Sequence, residues 1–309
     1  MGEGIRFTKG HGTENDFVLV PDPDGDLDLD ARLVARICDR RAGVGGDGLI
    51  RVVRTAALGE DVPDSAASEW FMDYRNADGT VAEMCGNGVR VLTAYLLRER
   101  LVEAGALAVG LPIGTRDGVK TVRDGGTAGA VDPDWIAVDM GPWRVPGGRD
   151  AVAAGHDATV HMPGLEVARP ALSVDLGNPH TVVALAEHAE LAAVDLTRPP
   201  LVEPVPLDGT NVELVVPLDP EDVGGETVGR LRMRVHERGV GETRSCGTGA
   251  CAAALAARAW AGATGPDRWL VDVPGGTLGV RVSGSRVELA GPAVLVADGV
   301  LDPGWVAAG

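Results

Sequence analysis

Two cysteines carry the strongest chemical signal in this chain. Cys85 stands in "AEMCGNGVRVLTAYL" and Cys246 in "TRSCGTGACAAALAARA". Each is followed by a glycine, a small polar residue and a second glycine, and then by an apolar pattern of helical period. A cysteine at a helix start meets free backbone N–H groups and the positive end of the macrodipole, which stabilise a thiolate and pull the thiol below its free pKa. The glycines bare those N–H groups. Two such starts can therefore hold a carboxylate and the negative charge that grows when its α-carbon is deprotonated.

Inverting a stereocentre that bears an acidic hydrogen needs a base on one face and an acid on the other. A thiolate and a thiol supply both, and they exchange roles with the direction of reaction. Two similar halves closing face to face would aim the two thiols at one point. Neither metal nor pyridoxal is required, and the only lysines, Lys9 and Lys120, lack a Schiff-base setting. A cysteine hydrolase needs one nucleophile with a histidine base and leaves the second cysteine turn without a purpose. A non-catalytic protein that traps an amino-acid carboxylate would keep its function in Cys85→Ser, whereas a racemase would not.

The elements that must position these thiols repeat. Asn15 in "GTENDFVLV" and Asn178 in "LGNPHTVVAL" stand 163 positions apart (178 minus 15), and the same interval separates Gly48 from Asn211. Asn76 and Glu237 are 161 apart (237 minus 76), as are Cys85 and Cys246. Four landmarks in one order imply two copies of one unit. Each copy reads as short strands followed by one long helix: "GVRVLTAYLLRERL" in the first and "TGACAAALAARAWA" in the second. Strands resume in "WLVDVPG", "TLGVRVSG" and "SRVELAG". The fold class is α+β, two pseudo-symmetric halves, each a mostly antiparallel sheet wrapped around a central helix. The Gly-, Asp- and Pro-rich "VRDGGTAGAVDPDW" marks the boundary, giving halves of 1–130 and 131–292, and segments 55–68 and 143–165 read as surface loops without chemistry.

Composition excludes several partners. A formal charge of −17 repels nucleic-acid phosphates and anionic membranes. The acids gather in "PDPDGDLDLDA", "GEDVPDSAASE" and "LDPEDVGGE", which read as solvated loops. Four cysteines without a CxxC pair, zinc-finger histidine spacing or an apolar leader argue against a disulfide scaffold or a structural metal and for a cytoplasmic protein. Cys38 and Cys251 fall in helical stretches and read as small core residues.

Together "FTKGHGTENDFV", "RNADGTVAEMCGNGVR", "GNPHTV" and "HERGVGETRSCGTGACA" resemble the diaminopimelate epimerase family, in order and over nearly the whole chain. The resemblance implies a cofactor-independent two-cysteine racemase that interconverts LL- and meso-diaminopimelate in lysine and cell-wall precursor biosynthesis. It also implies a homodimer, an active site in the cleft between the halves, and a last strand, about 293–309, that returns to the first half. Carried over by residue, Cys85 and Cys246 are the catalytic thiols, and Gly86, Asn87, Gly247 and Thr248 hold the carboxylate at the reacting centre. Asn15, Asn76, Asn178 and Asn211 bind the polar ends of the substrate. Glu237 and Arg238 read its ammonium and carboxylate, and His180 and Glu237 tune the thiols. Gly48 stands where many members carry glutamine, which removes one side-chain contact to the substrate. Proline and hydroxyproline racemases resemble MCGHG where this chain has Asn87, and they lack the ERGVGET run. Read without the resemblance, Asn76 in "RNADG" could serve only its turn, Glu237 and Arg238 could be a surface ion pair, and Arg244 could simply hold its loop.

Overall fold

Residues 4–62, 65–128 and 130–308 are described by a computed structural model. They form two compact units: one runs to Val138 and resumes at Gly291, and the other is Asp139–Ala290. The strands of the first are β1 (Arg6–Gly12), β2 (Asn15–Pro21), β3 (Gly48–Arg54), β4 (Trp70–Asn76), β5 (Leu111–Thr115), β6 (Gly118–Asp124) and β7 (Ile136–Pro142), the last leading out of the unit. There follow β8 (Ala158–His161), β9 (Arg169–Asp175), β10 (Pro179–Ala184), β11 (Leu201–Glu203), β12 (Asn211–Val223), β13 (Glu226–Glu237), β14 (Gly241–Thr243), β15 (Arg268–Val273), β16 (Gly276–Ser283) and β17 (Arg286–Gly291). Finally β18 (Val294–Val300) belongs to the first unit again, antiparallel to β1 with Arg6 opposite Val300.

Strand pairing displays the repeat. In the first unit β1 and β2 are antiparallel, β2 and β3 parallel, β3 and β4 antiparallel, and β4 and β5 parallel. In the second the same sequence of pairings runs through β9, β10, β12, β13 and β15. Phe17 pairs with Gly48, and Gly48 with Asn76; in the second unit His180 pairs with Asn211, while Val212 opposite His236 leaves Asn211 and Glu237 at neighbouring strand ends. Three of the four sequence landmarks thus occupy equivalent strand ends, and the fourth, Cys85 with Cys246, stands at equivalent helix starts. With its remaining pairs mostly antiparallel, each unit is α+β.

One long helix fills each unit. Gly86–Arg98 touches β1, β2, β3, β4 and β18, and Gly247–Ala261 touches β9, β10, β12, β13, β15 and β16. Both are buried over most of their circumference, which in the first includes the polar Asn87, Arg90 and Thr93. Alanines at 250 and 252–254 let the strands approach the second helix closely. On the other side of the first sheet, the helix Ala31–Cys38, capped by Asp30 on the Leu33 N–H, buries Val34, Ile37 and Cys38 against Val18, Val20, Leu49 and Leu301. Cys38 and Cys251 are both core residues. No helix among the described residues is long and apolar enough to cross a membrane.

Three stretches differ from the sequence reading. Segment 55–68 holds two short 3-10 turns, Thr55–Ala57 and Ser65–Ala67, and buries Leu58 and Val62 against Val53 and Phe71. Segment 143–165 is not a plain loop: it forms a helix, Gly148–Ala154, and then β8, and buries Ala151, Ala158, Val160 and Met162. Its apolar residues are few and interrupted by glycine, so only packing shows that they face a core. The acidic "LDPEDVGGE" lies in the outer part of a long β12–β13 hairpin turned by Gly224 and Gly225, both at positive φ. That arm is mostly polar, so it lacks the alternation that would mark strands.

Candidate active site

In the first unit, Cys85 is the N-cap of the helix Gly86–Arg98. Its Sγ accepts the Gly88 N–H at 3.4 Å and donates to Asn15 Oδ1 at 3.5 Å. Asn87, fully buried in the first turn, donates its Nδ2 to the same oxygen at 3.1 Å. Asn15 enters from the β1–β2 hairpin, whose turn residues Thr13 and Glu14 both adopt positive φ, 49° and 61°. Left-handed backbone costs roughly 1–2 kcal/mol at each such residue, so the surrounding structure holds this turn in place. The other end of the Asn15 amide donates to Asp47 Oδ2 at 2.8 Å. Asp47 also accepts from the Asp16 N–H at 3.1 Å and from Arg40 at 2.6 Å, and Arg40 in turn grips Asp16. Asn15 is therefore fixed at both ends, with its oxygen turned to the thiol.

In the second unit, Cys246 is likewise an N-cap, accepting the Gly249 N–H at 3.4 Å, with Thr248 Oγ1 3.6 Å from its sulfur. Asn178 donates Nδ2 to Thr248 Oγ1 at 3.3 Å, the counterpart of the Asn15–Asn87 contact. His180 lies beyond Asn178, with Nε2 3.1 Å from Asn178 Oδ1 and Nδ1 2.7 Å from Glu213 Oε1. Asn211 accepts the Arg238 N–H at 2.9 Å and donates to Pro179 O, while Thr243 donates to Glu237. Gly249 is required by crowding: a Cβ there would sit 2.8 Å from Glu213 Oε1 and 3.2 Å from Cys246 Sγ.

The thiol of Cys246 does not follow the helix-start expectation. Its pKa is pushed well above the ordinary thiol value, first by burial and then by the Glu237 and Glu213 carboxylates. The Thr248 and Gly249 hydrogen bonds pull downward and are outweighed. Cys246 is 7% exposed and Cys85 half-buried.

Hydrogen bonds join Cys85, Asn15 and Asn87 in the first unit and Cys246, Thr248, Asn178 and His180 in the second. Gly86 and Gly247 are the first residues of the two helices. Asn76 spends its Nδ2 on Thr80 of its own turn, and the exposed Arg238 donates to Asp208 O at 2.5 Å. Gly48 is more than a missing contact, because Tyr74 fills the space a side chain would take: its Cε2 lies 2.5 Å from where a Cβ would stand. Asp47 and Glu213 escaped the sequence reading. Glu213 carried a usable signal, since it sits two residues beyond Asn211 in an otherwise apolar strand and so shares its face. Lys9 pairs with Asp16, Lys120 with Asp117, and Arg244 donates to Pro274 O. Among the described residues no group of three His, Cys, Asp or Glu side chains is arranged to hold a metal ion.

The fold is that of a class of solved proteins. A phenazine biosynthesis protein of the PhzF family from Bacillus anthracis matches at TM-score 0.62 and 20% identity, covering 97% of this chain and 100% of that one. A hydroxyproline epimerase from Agrobacterium vitis matches at TM-score 0.61 and 15% identity, over 97% and 94%. At such identities the likeness concerns the fold alone. The diaminopimelate epimerase family model matches residues 7–145 and 172–296, so the chain belongs to that family. Diaminopimelate epimerases from Streptomyces coelicolor (49% identical, 99% of this chain and 98% of that one) and Thermobifida fusca (50%, over 96% and 97%) are among its relatives.

Proposed function

We propose that this chain epimerises LL-2,6-diaminopimelate to meso-diaminopimelate by proton transfer at the α-carbon, without a cofactor, in lysine and cell-wall precursor biosynthesis. The observation that carries the reading is the matched pair of N-cap cysteines, each in an equivalent frame of asparagine, small helix-start residues and strand ends, in a chain of this family. One thiol acts as the base and the other as the acid. The roles swap in the reverse direction. The first-turn N–H groups at Gly86, Asn87, Gly247 and Thr248 take the substrate's reacting carboxylate and the charge that develops on it. Asn15, Asn76, Asn178 and Asn211 hold its polar ends. Glu237 takes an ammonium and Arg238 a carboxylate. His180 and Glu237 set the charge state of the thiols. The enzyme acts as a homodimer in the cytoplasm, and light scattering of the purified protein at twice the chain mass is the expected result.

The test is turnover of LL-diaminopimelate in deuterium oxide. Deuterium enters the α-carbon as meso product appears, and Cys85→Ala and Cys246→Ala each lower the rate at least about a hundred-fold, the scale of one general acid or base. Binding without exchange would replace the epimerase by an amino-acid-binding protein.

A further inference from the structure

We propose that Glu213 is a positioning residue for Cys246, acting through His180, Asn178 and Thr248. The inference rests on the reading of Cys246 as a reacting thiol. The four contacts form one run in the second unit: Glu213 Oε1 to His180 Nδ1 at 2.7 Å, His180 Nε2 to Asn178 Oδ1 at 3.1 Å, Asn178 Nδ2 to Thr248 Oγ1 at 3.3 Å, and Thr248 Oγ1 to Cys246 Sγ at 3.6 Å. The side chains of Glu213 and His180 are completely buried. Gly249 leaves the gap in which the Glu213 carboxyl lies.

Donor and acceptor counting gives the run a direction. The Thr248 hydroxyl has one proton, so it donates to Sγ only while it accepts from Asn178 Nδ2. That turns Asn178 Oδ1 toward His180, and Nε2 must then carry a proton. Nδ1 faces a carboxyl oxygen, so a second proton lies on the Nδ1–Oε1 contact. The Glu213–His180 pair therefore holds two protons and no net charge, which suits a site without solvent. Were the second proton lost, the imidazole would keep its remaining proton on Nδ1 for the carboxylate. Asn178 would turn its Nδ2 to His180, and Thr248 would donate to Asn178 Oδ1 instead of to sulfur. The charge state of a buried pair three residues away thus sets whether Cys246, once its proton has gone to the substrate, is met by a hydroxyl donor. Among the described residues, Glu213 Oε2 has no hydrogen-bond partner, so Oε1 is the oxygen that carries the contact. Glu237 and Glu213 both push the Cys246 thiol upward, and within the buried pair His180 balances the Glu213 charge.

Nitrogen-15 NMR of imidazole-labelled wild-type protein without substrate, with His180 assigned by its loss in His180→Gln, is expected to show Nε2 protonated across the neutral range. An unprotonated Nε2 overturns the proposal. Glu213→Gln keeps a donor toward Nδ1 and should retain at least about half of wild-type kcat, whereas Glu213→Leu should lower kcat about ten-fold with KM nearly unchanged, the scale of one hydrogen bond to a charged group. The pH midpoint for iodoacetamide alkylation of Cys246, read by peptide mass spectrometry, should lie higher in Glu213→Leu than in Glu213→Gln. That difference should vanish in a Thr248→Val background. Equal midpoints in the two Glu213 variants, or a difference that persists without the hydroxyl, would refute the relay. NMR and alkylation need no turnover, so a failed deuterium-exchange test would count against the epimerase reading and leave these results standing.

Discussion

Gly48 offers a sharp test of how the first unit is packed. It begins β3, between Phe17 of β2 and Asn76 of β4. A Cβ added there would stand 2.4 Å from the Arg75 carbonyl oxygen and 2.5 Å from Tyr74 Cε2. The Tyr74 ring cannot easily swing away, because it is buried and packed edge-on against Phe17 with centroids 5.7 Å apart. The carbonyl belongs to the backbone of a paired strand, so reaching an ordinary contact of about 3.4 Å means moving β3 and β4 apart by about 1 Å, and interiors packed this tightly resist such shifts. Overpacking costs about 1–3 kcal/mol, and a backbone obstacle puts Gly48→Ala in the upper half of that range. For a unit of this size the melting temperature should fall by about 4–10 °C, read by calorimetry. Because Asn15 and Asn76 stand at the ends of the adjoining strands, kcat/KM should fall as well. Adding Tyr74→Ala removes the ring but not the carbonyl, so it should not restore the melting temperature. A Gly48→Ala protein melting within about 1 °C of wild type would show that the strands give way freely, and the reasoning from close approach would fail.

Further outcomes follow from the same geometry. Asp47→Ala frees the Asn15 amide and should lower kcat/KM about ten-fold by steady-state assay while costing only about 1 kcal/mol in denaturant unfolding, since Asp47 is partly exposed; an unchanged kcat/KM would deny Asp47 any hold on the site. Glu14→Gly relieves about 1–2 kcal/mol of left-handed strain and adds about 0.4–1 kcal/mol of unfolded-chain entropy, so stability should rise by up to about 1 kcal/mol, read as a higher melting temperature; a loss would show that the Glu14 side chain matters more than its backbone strain. Burial pushes the Cys38 thiol up to about 12 and holds Cys246 well above the ordinary 9.0. The folded protein therefore keeps two protons that the unfolded chain gives up, so this stability is complete below pH 9 and is withdrawn above it, by about 1.4 kcal/mol per thiol for each further pH unit. Urea midpoints at pH 8 and pH 10 should register the loss, and Cys38→Ala should show less of it; equal losses in the two proteins would contradict that assignment.

The sequence by itself determined the two cysteine-led helix starts, the order of the landmarks and the α+β class, because these rest on local features: a capping position, glycines in the first turn and the period of the apolar residues. Asn15, Asn178 and Asn211 were equally legible as repeated landmarks. What lies beside them was not. Asp47 reaches Asn15 across 32 residues, and Glu213 reaches His180 across 33. Nothing local in "GGDGL" says which way the Asp47 carboxyl turns, and "TNVELVV" gives only the face that Glu213 shares with Asn211, not its partner. The thiol of Cys246 shows the division most clearly. Its place at a helix N-terminus, read from sequence, favours the charged form, but burial and two carboxylates brought in by β12 and β13 outweigh that local pull. Only tertiary structure decides such a balance, because desolvation and through-space charge depend on which strands enclose the sulfur, and residues adjacent along the chain do not specify that.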